Sequence, residues 1–167
     1  MNHSTSEINS EFRTLYGINS RLCSTSNPKL TLVLSQDKKI DLIELEQLLE
    51  SVGWSRRPLK LVKRALENSL IKVGLWRHDR RIPRLIGFAR CTGDGVIEAT
   101  IWDVAVHPRY QGIGLGNALM RYVIDTLNIM KIERVSLFAD PEVLQFYIRQ
   151  GWELEPNKRR CAFCYSS

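Results

Sequence analysis

A chain of 167 residues is sized for one domain with a sizeable core, and its 44% apolar share is that of an ordinary globular protein. No apolar run approaches the ~20 residues that cross a bilayer, so a membrane is not the expected partner. The formal charge of +6 sits in short basic clusters (Arg56, Arg57, Lys60, Lys63 and Arg64; Arg77, Arg80 and Arg81; Lys158, Arg159 and Arg160) with no interleaved aromatics, which argues against nucleic acid and suits a small polyanionic ligand as well as solvated faces.

Residues 1–28 are rich in Ser, Asn and Thr and are expected to form a mobile tail, with a short ordered piece near Phe12 to Ile18; residues 29–167 are expected to be a single domain. The first thirty residues lack a signal-peptide apolar region, and Glu7 and Glu11 sit poorly in a transit peptide. The expected location is therefore cytoplasmic, or the plastid stroma if the gene is plastid-borne. Leu30 to Leu34 reads as a strand. Leu42, Leu45, Leu48, Leu49 and Val52 recur at helical spacing, with Gly53 as a stop, and a second helix begins near Pro58. Strands follow at Leu70–Trp76, Leu85–Cys91 and Val96–Val106, with a hairpin turn at Thr92–Gly95. A helix through Leu115 to Leu127, a strand Val135–Ala139, a helix Pro141–Gln150 and strands near Trp152–Leu154 and Cys161–Tyr165 complete the order.

The stretch from Ile101 to Met120 carries the strongest signal. Ile101, Val104, Ala105 and Val106 form a buried strand that Pro108 ends, because proline has no N–H for a ladder. Gly112, Gly114 and Gly116 follow, and then the helix begins. Amides at a helix start have no intrahelical partner, and the dipole there favours negative charge, so strand, glycine turn and helix point to a phosphate or pyrophosphate site. There is no Gly-Lys-Ser/Thr of a Walker loop, and the spacing is G-x-G-x-G rather than the G-x-G-x-x-G of a dinucleotide fingerprint. Asp140, near the end of the next apolar run, keeps a weak dinucleotide reading open. The four cysteines, Cys23, Cys91, Cys161 and Cys164, include one C-x-x-C with no histidine pair after it; they read as ordinary thiols, with no metal site.

Gln111-Gly-Ile-Gly-Leu-Gly116 resembles the (Arg/Gln)-x-x-Gly-x-(Gly/Ala) signature of the GNAT acetyltransferases. Val135-Ser-Leu-Phe-Ala-Asp-Pro-Glu-Val-Leu-Gln-Phe-Tyr-Ile-Arg-Gln-Gly-Trp152 resembles that family's later strand and helix with their Phe-Tyr-x-x-x-Gly-(Phe/Trp) ending. Trp102-Asp103-Val-Ala-Val-His-Pro108 is similar to plastid-type and cyanobacterial members, which include plant serotonin N-acetyltransferases and chloroplast protein acetyltransferases. The resemblance implies the GNAT fold, an α/β (α+β) arrangement: a mixed, mostly antiparallel sheet of six to seven strands with helices on both faces. It implies acetyl-CoA as co-substrate, a small-molecule or protein amine as acceptor, and a homodimer as one family arrangement.

The resemblance also implies roles. Amides of Gly112, Ile113, Gly114, Leu115, Gly116 and Asn117, framed by Gln111, would hold the pyrophosphate. Backbone groups of Val104, Ala105 and Val106 would pair with the pantetheine arm and polarise the thioester carbonyl, which in the family works because a bulge splays two strands. Tyr147 would be the general acid; a phenol near ~10 protonates a thiolate near ~8.5 downhill only if its pKa is lowered. Family members often carry Asn where this chain has Asp140. The Asp could cap the Pro141 helix, contact the pantetheine, or act as base.

Trp102 and Asp103 stand side by side late in a strand, so regular alternation sends them to opposite faces. An Asp is unfavourable there, and the functional expectation is that Asp103 takes the acceptor's proton while Trp102 walls an acceptor pocket. His107 is a second base candidate, and a strand-end residue with no chemical role is the expected alternative. No cysteine is placed to carry an acyl group, although Cys91 cannot be positioned from sequence. A non-catalytic acyl-CoA-binding module would share the glycine features.

Overall fold

The computed structural model describes residues 6–7, 31–78 and 82–156. Six strands form one sheet in sequence order: β1 (Ser6–Glu7), β2 (Thr31–Ser35), β3 (Ile71–His78), β4 (Arg84–Gly93), β5 (Glu98–Val106) and β6 (Arg134–Leu137). All neighbours run antiparallel except β5 and β6, which are parallel. Parallel neighbours need a crossover, and α3 (Leu115–Ile129) provides it. Two helices, α1 (Leu42–Ser51) and α2 (Leu59–Glu67), connect β2 to β3. The fold class is the expected one: a mixed, mostly antiparallel sheet with helices on both faces. Contacts divide the chain after Leu137 into two compact units. The first contains the sheet with α1 to α3; the second contains the 3-10 turn Pro141–Val143 and α4 (Leu144–Ile148).

Local chemistry explains the elements. Asp41 caps α1, its carboxylate accepting the amides of Ile43 and Glu44 at 3.0 and 2.9 Å. Apolar residues three or four apart then face the sheet: Leu45, Leu48 and Leu49 pack with Val62 and Leu66 of α2 against Trp76, Leu85, Phe88 and Ala105. Gly53, at φ 92°, lets the chain leave the helix. On α3 the buried stripe is Leu115, Ala118, Leu119, Val123 and Leu127.

Four details depart from the sequence expectations. The β4–β5 turn lies later than Thr92–Gly95. The strands remain paired to Gly93 and Ala99, and the Asp94 carboxylate gathers the amides of Val96, Ile97 and Glu98 at 2.8–3.0 Å. Trp152–Leu154 is not a strand, because the Trp152 amide donates to the Tyr147 carbonyl at 3.2 Å and keeps the chain tied to the end of α4. The helix expected over Pro141–Gln150 is the 3-10 turn followed by the short α4. Ser6 and Glu7, within the stretch read as a tail, pair with Leu34 and Val33. The ordered piece near 12–18 and the strand Cys161–Tyr165 fall outside the described residues.

Candidate active site

The centre of the site is a bulge in β5. Phe88 pairs with Ala105 and Arg90 with Trp102, so Ala89 alone faces two residues, Asp103 and Val104. Asp103 takes the strain at φ 53°, a left-handed conformation that Asp tolerates better than most side chains. On the other edge, the parallel ladder to β6 ends at the pair Ile101–Leu137. From Asp103 to Val106, therefore, no ladder to β6 covers that edge of β5 among the described residues. A bulge beside an open edge leaves backbone donors and acceptors for an extended ligand to pair with.

The strand delivers the chain into the glycine turn. The His107 amide donates to Ile86 O at 2.8 Å, and its Nδ1 accepts the Arg109 amide at 3.2 Å, capping the 3-10 turn Pro108–Tyr110. This local job explains a histidine at the strand end without assigning it chemistry. Gln111 turns back, its side-chain amide donating to Val106 O at 2.8 Å. Gly112 at φ 74° and Gly114 at φ 95° then bend the chain into α3, and a Cβ added at Gly112 would meet open space. α3 has no side-chain cap. Among the described residues, no amide from Gly112 to Asn117 donates to a backbone carbonyl; the first that does is Ala118, to Gly114 O at 3.0 Å. The turn thus presents consecutive free N–H groups at the positive end of a 15-residue helix, the requirement for holding a diphosphate.

Regular alternation would separate Trp102 from Asp103, but the extra residue brings them together. Trp102 Nε1 donates to Thr92 Oγ1 at 2.9 Å, and Asp103 accepts from Arg90 Nε at 2.6 Å; Arg90 and Thr92, two apart on β4, share a face. Phe88, two residues before Arg90, places that face toward α1 and α2. Arg57, from the segment between those helices, reaches the same carboxylate at 2.9 and 3.4 Å. Burial works to raise the Asp103 pKa, yet the hydrogen bonds and charges of Arg57 and Arg90 outweigh it and hold the carboxyl below its usual range. In this arrangement Asp103 is ionised, well satisfied and only weakly basic.

The second unit carries the other two candidates. Asp140 precedes the 3-10 turn, and its backbone carbonyl accepts the Val143 amide at 3.0 Å; its side chain makes no capping bond. Tyr147 is buried on α4, edge-on to Phe146 and Trp152 at ring separations of 5.0 and 6.1 Å. Burial, and secondarily the Asp140 charge, push its phenol above the usual range, so it is a firmly protonated donor. This is opposite to the lowering that downhill transfer to a thiolate requires.

Sequence reasoning passed over Arg57 and Arg90 as site residues. A charge inside the apolar run Leu85–Cys91, opposite Trp102 in the ladder, was the available signal for Arg90; Arg57 had none, since it sits in a surface basic cluster. Cys91 is fully buried and its thiol is pushed up to about 12 by that burial, so it is a thiol and not a nucleophile. Among the described residues no group of His, Cys, Asp and Glu is placed to hold a metal. Arg109 and Tyr110 line a cavity of about 250 Å³ with His107, Arg77 and Arg84, and the Tyr110 hydroxyl accepts from Arg77.

A bulged strand with one free edge, running into a glycine turn of unpaired amides, is the arrangement expected from the resemblance. The acetyltransferase (GNAT) family model matches residues 39–152. The chain belongs to the GNAT family. It is similar to an N-acetyltransferase, described as ycf52-like, from Prochlorococcus marinus, 62% identical over 94% of this chain and 87% of that one. Among solved structures, a probable acetyltransferase from Staphylococcus aureus matches with a TM-score of 0.68 and 27% identity, over 80% of this chain and 99% of that one. Soybean histone acetyltransferase TAP1 is 40% identical over 80% of this chain and 61% of its own length. Rice chloroplastic serotonin N-acetyltransferase 2 is 35% identical over 77% and 64%. This GNAT protein is an enzyme of the N-acetyltransferase class. No helix among its described residues is long and apolar enough to cross a membrane.

Proposed function

We propose that this GNAT protein transfers an acetyl group from acetyl-CoA to a primary amine by direct attack, with an arylalkylamine such as serotonin as the acceptor. The observation that carries the reading is the open edge of β5 from Asp103 to Val106 continuing into the free amides of Gly112 to Asn117. Acetyl-CoA supplies the activated acyl group and the thiolate leaving group. The chain's part is binding and orientation. The turn amides and the dipole of α3 hold the diphosphate, while Val104, Ala105 and Val106 offer the extended edge to the pantetheine arm and a main-chain N–H to the thioester oxygen.

Attack needs a neutral amine, and the departing sulfur needs a donor. Tyr147, by the Phe-Tyr-x-x-x-Gly-Trp resemblance and its protonated state, is the proposed donor. Asp140 follows from the family position that contacts the cofactor arm. Asp103 is proposed as the anionic group on the acceptor side, beside Trp102, whose ring offers an aryl acceptor a stacking surface. Whether its carboxylate also takes the amine's proton is read from turnover against pH in Asp103→Asn: an unchanged rate and profile removes it as base. The buried, protonated Cys91 favours direct attack over an acyl-enzyme.

The soybean relative's name favours a second reading, in which the acceptor is a protein lysine or N-terminus. Thiol release from acetyl-CoA with a panel of arylalkylamines, lysine peptides and N-terminal peptides tests both. Fast turnover confined to arylalkylamines supports the first, turnover confined to peptides supports the second, and no release with either overturns both readings of the acceptor.

A further inference from the structure

Arg57 does two things at once. Its amide donates to Glu46 Oε2 on α1 at 2.9 Å, and its guanidinium grips Asp103 on the bulge at 2.9 and 3.4 Å. Glu46 is 6% exposed, and its Oε1 has no hydrogen-bond partner among the described residues. A buried carboxylate with one satisfied oxygen is costly, so the bond to the Arg57 amide ties the segment to the middle of α1. Asp103, in turn, holds a strained left-handed backbone conformation at φ 53°. Its carboxylate is fixed by Arg57 from the α1–α2 segment and by Arg90 from β4, the two charged groups that face it among the described residues. The outer arginine is half-exposed and the inner one mostly covered, with side-chain exposures of 41% and 13%. Arg90 can stay in place when the segment moves; Arg57 moves with the segment. The α1–α2 segment and the bulge that opens β5 are therefore joined through one residue.

We propose that Arg57 is a positioning residue for acetyl transfer, a latch that couples the segment between α1 and α2 to the bulge of β5 and keeps Asp103 in its left-handed, ionised form. Closing the latch fixes the open backbone edge on one side of the reacting groups and the acceptor-side segment on the other. Releasing it frees the segment and leaves Asp103 with one cation instead of two. The proposal rests on the acetyltransferase reading for its kinetic consequence only; the latch itself is testable without turnover.

The test uses the full chain with Arg57→Gln, Arg57→Lys, Asp103→Asn and the double variant Arg57→Gln with Asp103→Asn. Carbon NMR of the Asp103 carboxyl is followed against pH, and kcat and KM are measured for acetyl-CoA and an active amine. Arg57→Gln is expected to raise the Asp103 titration toward the ordinary carboxylate range. It is also expected to lower kcat by roughly tenfold to a hundredfold, as a small misplacement does, with KM for acetyl-CoA unchanged. Arg57→Lys restores part of the titration shift and part of kcat, but not all, because an ammonium lacks the guanidinium fork. In the Asp103→Asn background the further loss from Arg57→Gln falls below about threefold, since the shared partner is already gone.

An Asp103 titration identical in wild type and Arg57→Gln overturns the latch. Losses in kcat that multiply independently in the double variant overturn its role in transfer. Wild-type protein that releases no thiol with any amine overturns the acetyl-transfer reading and the kinetic half of this proposal, while the NMR titration still decides the latch.

Discussion

Asp103 shows what one residue can and cannot reveal in sequence. Its presence in a buried strand marked it as functional, and the alternation rule placed it opposite Trp102. The bulge overrode that rule, and the two arginines changed its chemistry from candidate base to satisfied anion. Neither arginine could be paired with it from sequence, because the contacts span 13 and 46 positions. The pairing has a sign that can be checked. With a folded pKa below the unfolded value of about 3.9, the ionised pair stabilises the fold fully above that value and loses its contribution as pH falls through the lower, folded one. Thermal unfolding of wild type and Asp103→Asn, whose Asn also accepts the left-handed conformation, should differ at pH 7 and converge at the acid end; a constant gap would mean the carboxylate is not selectively stabilised. Tyr147 gives the opposite sign: held above about 10 by burial, it keeps its proton across neutral pH. Tyr147→Phe should lower kcat by roughly a hundredfold with no limb removed below pH 9. Undiminished turnover would show that the sulfur is protonated from elsewhere.

The elements were more legible than their edges. Helical spacing found α1, α2 and α3, and strand-rich runs found β2 to β5, because in each a periodic apolar face meets the core. The turns were missed by a few residues where a side chain replaced the expected backbone pattern, as Asp94 does in gathering three amides. The strand expected at Trp152 does not form, because a hydrogen bond ties that residue to α4. The glycine turn, in contrast, could be read directly, since two of its glycines occupy left-handed positions that a branched residue resists. Gly114→Val should therefore weaken coenzyme A binding by tenfold or more, on the scale of ~1–2 kcal/mol for a left-handed residue bearing a branched side chain, with the fold retained by circular dichroism. Equal affinity in that variant would place the diphosphate elsewhere. At the core, Phe88 is fully buried between α1, α2 and the sheet, and Phe88→Ala should cost about 3–5 kcal/mol in chemical unfolding. A loss below about 1 kcal/mol would contradict that packing.

At the scale of the whole molecule, the fold class and the glycine turn could be read from one chain because both are written in local pattern: strand, glycines, helix. The identity of the acceptor is not written that way. The α1–α2 segment is tied to β5 through Arg57, and that tie joins residues far apart in sequence. The net charge of +6 acts more diffusely, favouring a polyanionic co-substrate. Coenzyme A binding should accordingly weaken as salt rises, which calorimetry at several ionic strengths reads out; affinity independent of salt would assign the charge no part in capture. The most direct test of the account is a crystal structure grown with coenzyme A. Diphosphate oxygens are expected within hydrogen-bond distance of the amides between Gly112 and Asn117, and the pantetheine arm along the open edge of Asp103 to Val106. A coenzyme bound away from that turn, or an open edge filled by the chain's own backbone, would contradict it.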